Sequence, residues 1–177
     1  MKNALLLCLL GLLGAIAQAQ AESYDLATYT PPAGWTKAVQ ENVCTSYTIT
    51  RSQTGGYCQI FVLRSMPSRG GIAEDFEHEW RNIIVNQYHP AEAPRITGPL
   101  PKDGWQVKVG IAPFAFNGGQ SLAMLTTLTG YGRTLSIVAV TNSEDYLPAV
   151  DEFLASVKLK TPDAPPATVA TNAGVDT

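Results

Sequence analysis

The apolar residues from Gln120 to Thr141, distributed over both faces at a period of two, predict two sheet-centre strands joined by the turn Thr129-Gly130-Tyr131-Gly132. In the second strand Leu135, Ile137 and Ala139 fall on one face, and Ser136, Val138 and Val140 on the other. The first divides Leu122, Met124 and Leu128 from Ala123 and Leu125. A strand that is apolar on both faces must be covered on both. The expected architecture is therefore α+β: a largely antiparallel sheet covered by helices on both faces.

Helical spacing supplies the covers. From Ile72 to Tyr88 the residues Ile72, Phe76, Trp80, Ile83 and Ile84 form one stripe, with Glu74, Asp75, His78, Arg81 and Asn82 on the polar side. The helix is expected to stop before His89-Pro90. A second helix starts near Asp145, with Leu147, Val150, Phe153, Leu154 and Val157 as its stripe, and Val157 to Lys160 reads as a last short strand.

Elsewhere, Tyr24 to Tyr29 is a short strand running into Pro31-Pro32-Ala33-Gly34-Trp35, whose indole is expected in the core. Val43 to Ser52 and Tyr57 to Arg64 make a hairpin about Gln53-Thr54-Gly55-Gly56. A turn centred on Thr54-Gly55 sets Ile49 opposite Ile60, Tyr47 opposite Val62 and Arg51 opposite Cys58. Cys58 then joins the apolar face and Cys44 the other, roughly 23 Å along the strand, so no Cys44–Cys58 disulfide is expected. Ala91 to Asp103, rich in proline, is read as an irregular crossing. Trp105 to Phe116 is a strand with Val107, Val109 and Ile111 facing in, and Pro113 marks a sheet edge or bulge.

Composition adds an address. Lys2, the apolar run Leu5 to Ile16, and the small-x-small sites Ala17-Gln18-Ala19 and Ala19-Gln20-Ala21 read as a cleaved signal peptide over residues 1–21. Leu5-Leu6-Leu7 before Cys8 does not suit a lipoprotein signal. One globular domain follows over residues 22–160, then a tail at 161–177 that lacks aromatic residues and is expected to be disordered. The whole chain carries a formal charge of −3. Without Lys2 it carries 11 basic against 15 acidic residues, a charge of −4. With no basic cluster, nucleic acid and anionic membrane surfaces are poor partners.

Catalytic signatures are lacking. His78-Glu79-Trp80-Arg81-Asn82 begins like a metalloprotease motif without its second histidine. Gly118-Gly119-Gln120-Ser121 is a hairpin turn, not a nucleophile elbow. Gly130-Tyr131-Gly132 precedes a strand and not a helix, which does not suit a phosphate loop. Neither a catalytic residue, a metal site nor a cofactor is assigned. The candidates for partner contact are Tyr131 and Arg133 at the central hairpin tip and Trp105 near another strand end, because Tyr, Trp and Arg anchor interfaces.

The Pro32-Ala33-Gly34-Trp35 turn, the antiparallel sheet and the closing Phe153-Leu154-Ala155-Ser156-Val157 resemble the PsbP-like α/β/α sandwich family, which includes extrinsic photosystem II proteins and many uncharacterised exported bacterial proteins. The resemblance covers most of Tyr24 to Lys160 and rests on short structural motifs. It implies a non-enzymatic binding or accessory role; together with the signal and the absence of paired catalytic groups, the expected function is an exported domain that binds another envelope protein or helps it assemble. The alternative is a carrier of a small molecule or lipid in a pocket between the sheet and a helix or crossing loop.

Overall fold

The computed structural model describes residues 20–162. The expected leader and tail therefore lie outside the described residues, apart from the two residues of each that border the domain. In chain order the strands are β1 (Glu22–Tyr24), β2 (Ala27–Tyr29), β3 (Thr36–Gln40), β4 (Cys44–Arg51), β5 (Gly56–Leu63) and β6 (Met66–Pro67). They continue as β7 (Arg95–Lys102), β8 (Trp105–Phe116), β9 (Gly119–Gly130), β10 (Arg133–Thr141) and β11 (Lys158–Leu159). Helix α1 (Ile72–Glu79) runs through a π-helical stretch (Trp80–Val85) into α2 (Asn86–Tyr88), and α3 is Leu147–Ser156. The main sheet has the order β3-β4-β5-β10-β9-β8-β7, with β6 paired to the start of β10. Every pairing in it is antiparallel. A small sheet, β1-β2-β11, ties the two ends of the domain together.

The β7–β8, β8–β9 and β9–β10 hairpins close on Asp103-Gly104, Asn117-Gly118 and Tyr131-Gly132, and in each pair both residues have positive φ. That backbone twist matches the right-handed twist of the strands, which is why two-residue turns work here.

Side chains of β9 and β10 divide as expected. Leu135, Ile137, Ala139, Met124 and Leu128 join Val150, Phe153 and Val157 of the closing segment, with Tyr29 and Tyr47, in one cluster. Val138, Val140, Ala123 and Leu125 join Phe76, Trp80 and Ile84 in another. The fold is thus α+β, mostly antiparallel sheet, and the sheet-centre strands feed two cores.

Four expectations need correction. The Ala91–Asp103 stretch contains a true strand, β7; Pro99 and Pro101 are tolerated because β7 is the sheet edge, where the register also shifts between Thr97 and Leu100. In the β4–β5 hairpin Ile49 faces Cys58, Tyr47 faces Ile60 and Arg51 faces Gly56, a slip of two residues from the expected register. A slip of two preserves every face, so Cys44 and Cys58 still point to opposite sides, and both are free thiols. Asp75, assigned to the polar side of its helix, is 1% exposed. Trp35 is only partly buried, against the edge of Tyr146. Pro113, by contrast, lies where β8 has run past the end of β7, so its missing donor faces an open edge.

Candidate functional site

The face of the sheet covered by α1 carries Tyr57 and Gln59 from β5, Val140 from β10 and Phe114 from β8. Phe76, Trp80 and Ile84 cover its middle. The cover ends at Tyr88, where His89 turns the chain at φ 49 and Pro90 prevents continuation. The strands run further than the helix. The uncovered end is a cavity of about 610 Å³, walled by the helix terminus and by Ala91 on one side and by the sheet on the other.

Its lining is aromatic. Tyr88 and Phe114 lie 5.0 Å apart between ring centroids, Phe114 and Phe116 6.5 Å, and Tyr57 and Phe116 6.2 Å. The Tyr57 ring is fixed: its hydroxyl donates to Ser121 Oγ at 3.2 Å and its backbone N–H to Asn142 Oδ1 at 2.7 Å. Burial, reinforced by the neighbouring Tyr57, pushes the Tyr88 phenol above its ordinary pKa, which keeps it a neutral donor. Gln59, Gln87 and His89 are the remaining polar side chains, and no Asp, Glu, Lys or Arg lines the cavity. Tyr57 and Phe116 also bound a second cavity of about 480 Å³, lined by Asn117, Gln120, Ser121 and Asn142.

A different groove, of about 640 Å³, follows the other flank of α1 and gathers Arg64, Arg133, His78 and Glu79. Burial lifts the Glu79 carboxyl above its usual pKa; Ser136, His78 and Arg69 pull it down without overcoming that, and Asp75 adds to the rise. Beneath it Asp75 accepts hydrogen bonds from Ser68 Oγ (2.7 Å), the Arg69 N–H (2.7 Å) and Thr129 Oγ1 (2.8 Å). Those bonds fasten the loop before α1, the helix and β9 together. His78 meets Asn82 one turn on. Among the described residues no group of three or more His, Cys, Asp or Glu side chains is placed to hold a metal. Among the same residues no helix is long and apolar enough to cross a membrane.

The three residues predicted for partner contact part company. Tyr131 is 53% exposed at the hairpin tip, its ring edge-on to Trp105 at 5.6 Å. Trp105 itself is 1% exposed and is a core residue that supports Tyr131, so it offers no surface of its own. Arg133 folds back, donating from Nη2 to the carbonyl and hydroxyl oxygens of Ser65. None of the three lines the aromatic cavity. Tyr57, Tyr88, Phe114 and Phe116 were not singled out by sequence. Their signal was parity: Phe114 and Phe116 stand two apart, on one face of a strand, just before the Asn117-Gly118 turn.

No family model matches the chain, and no curated protein matches it. Among solved structures, the solution structure of cyanobacterial PsbP from Synechocystis sp. PCC 6803 is similar, with a TM-score of 0.51 at 12% identity, over 85% of this chain and 99% of that one. A crystal structure from Bacteroides thetaiotaomicron aligns over 76% of this chain with a TM-score of 0.47 and 10% identity, and the chain spans only 45% of that protein. At such identities the likeness is one of architecture: the chain has a PsbP-like fold.

Proposed function

We propose that this is an exported, non-catalytic binding protein whose working site is the aromatic cavity at the end of α2, and that it carries a small uncharged molecule. The observation that carries the proposal is the cavity itself: about 610 Å³ between sheet and helix terminus, walled by four aromatic rings with a few convergent polar groups. Pockets of that size and lining suit a small ligand whose apolar part leaves water. Export rests on the leader read over residues 1–21, whose apolar run is followed by the polar Gln20 and Glu22. The layering is read as helix, sheet, helix, in keeping with the two side-chain clusters. A neutral apolar dye such as N-phenyl-1-naphthylamine tests the site. Saturable one-to-one binding, abolished by Ala91→Trp and untouched by Tyr131→Ala, is expected; a dye that fails to saturate in a folded wild type sinks the reading.

The sequence pointed first to binding of an envelope protein, and one observation keeps that as a second reading. Tyr131 is bulky, half-exposed and held at φ 51, a left-handed conformation disfavoured for such a residue. A pull-down from envelope extract, in which a stoichiometric protein is retained by the wild type and lost with Tyr131→Ala, would move the function to the hairpin tip.

A further inference from the structure

The aromatic cavity adjoins its polar neighbour, and Tyr57 and Phe116 belong to the walls of both. We infer that its ligand is a neutral amphiphile with the chemistry of a glycoside: an apolar ring among Tyr88, Phe114 and Phe116, and an uncharged hydroxyl-bearing head beside Gln120, Ser121 and Asn117. This rests on the binding reading above and assigns its ligand class.

Three observations converge. First, neither chamber is lined by a carboxylate, ammonium or guanidinium group, and only the imidazole of His89 stands in the walls, so a formal charge on the ligand would lack a permanent counter-charge. Second, the polar chamber offers amides and a hydroxyl. An amide both donates and accepts, as a sugar hydroxyl does, and the side-chain hydrogen bonds of the fold occupy Asn142 and Ser121 but leave the Asn117 and Gln120 amides of that chamber unengaged. Third, the ring that divides the chambers, Phe116, is 51% exposed beside the tethered Tyr57, leaving an aromatic face for a ring to stack on.

Titration calorimetry of the full chain with phenyl β-glucoside, phenol and methyl β-glucoside tests the assignment. The glycoside is expected to bind at least about tenfold more tightly than either half, since both chambers contribute. Gln120→Ala should weaken the glycoside about fivefold, the worth of one neutral hydrogen bond, and leave phenol unchanged. Phe116→Ala should weaken both. Phenol binding as tightly as the glycoside, with Gln120→Ala silent, overturns the glycoside assignment while the cavity reading stands. If N-phenyl-1-naphthylamine also fails to bind, both fall. Phosphatidylcholine vesicles with and without glucosyl diacylglycerol separate the sources: co-sedimentation only with the glycolipid assigns the head to a membrane lipid, and its absence alongside phenyl glucoside binding assigns a soluble glycoside.

Discussion

At the scale of single residues, two carboxylates on α1 behave in opposite ways. Asp75 is buried and fully engaged, accepting from two hydroxyls and a backbone N–H. Asp75→Asn keeps the volume but turns an amide NH₂ toward donors. Hydrogen bonds to a charged acceptor are the strong ones, so a loss of about 3 kcal/mol in urea unfolding is expected; a change within error would mean that the Ser68–Asp75–Thr129 set does not hold the helix. Glu79 is the reverse case, a carboxyl whose burial raises its pKa. A folded-state pKa above the unfolded one means a contribution fully present below the unfolded value, near pH 4.3, and lost as pH rises through the folded value. Glu79→Gln should therefore raise Tm at pH 7, with the gain shrinking toward pH 4; a gain independent of pH would remove the carboxyl as its cause. Neither behaviour was legible from helical angle. That angle put Asp75 on the solvent side, because the hydroxyls that bury it come from Ser68 and Thr129, and Thr129 lies 54 residues away.

Elements were legible in proportion to how far their own side chains decide their fate. The helix over Ile72–Tyr88 and the strands β8, β9 and β10 carry their apolar stripes in plain view, and each formed within a few residues of its expected place. Two edge strands were not legible. All of β3 and nearly all of β7 are exposed, so neither shows a half-buried alternation, and β7 holds two prolines besides. Their pairing comes from β4 and β8. The aromatic cavity was missed for a related reason: it exists where α2 ends before the strands do, and relative length is a property of two elements together. The same contact between elements makes a sharp prediction at Gly110 of β8. A Cβ there would stand 2.6 Å from Phe76 Cζ and 2.9 Å from Trp80 Cζ3. Gly110→Val should lift the helix from the sheet and cost about 2 kcal/mol, as overpacking does. Near-ultraviolet circular dichroism should show the Trp80 environment altered; unchanged signal and stability would mean that the α1–β8 approach is looser than the ring positions imply.

For the whole molecule, the decisive fact is that β9 and β10 belong to both cores. Ile137 and Ala139 contribute to the cluster around Phe153, while Val138 and Val140, the intervening residues, contribute to the cluster around Phe76. Neither core can lose its packing without loosening strands on which the other depends. The aromatic cavity lies over Val140, so affinity for the proposed ligand should also depend on the other core. Phe76→Ala and Phe153→Ala, one in each core, should each cost about 4 kcal/mol as large-to-small core changes. In both variants unfolding should remain one transition, with far-ultraviolet dichroism and tryptophan fluorescence giving the same midpoint. A residual transition at the wild-type midpoint in either variant would show that the two cores melt separately, and would leave the cavity's rigidity to the α1 side alone.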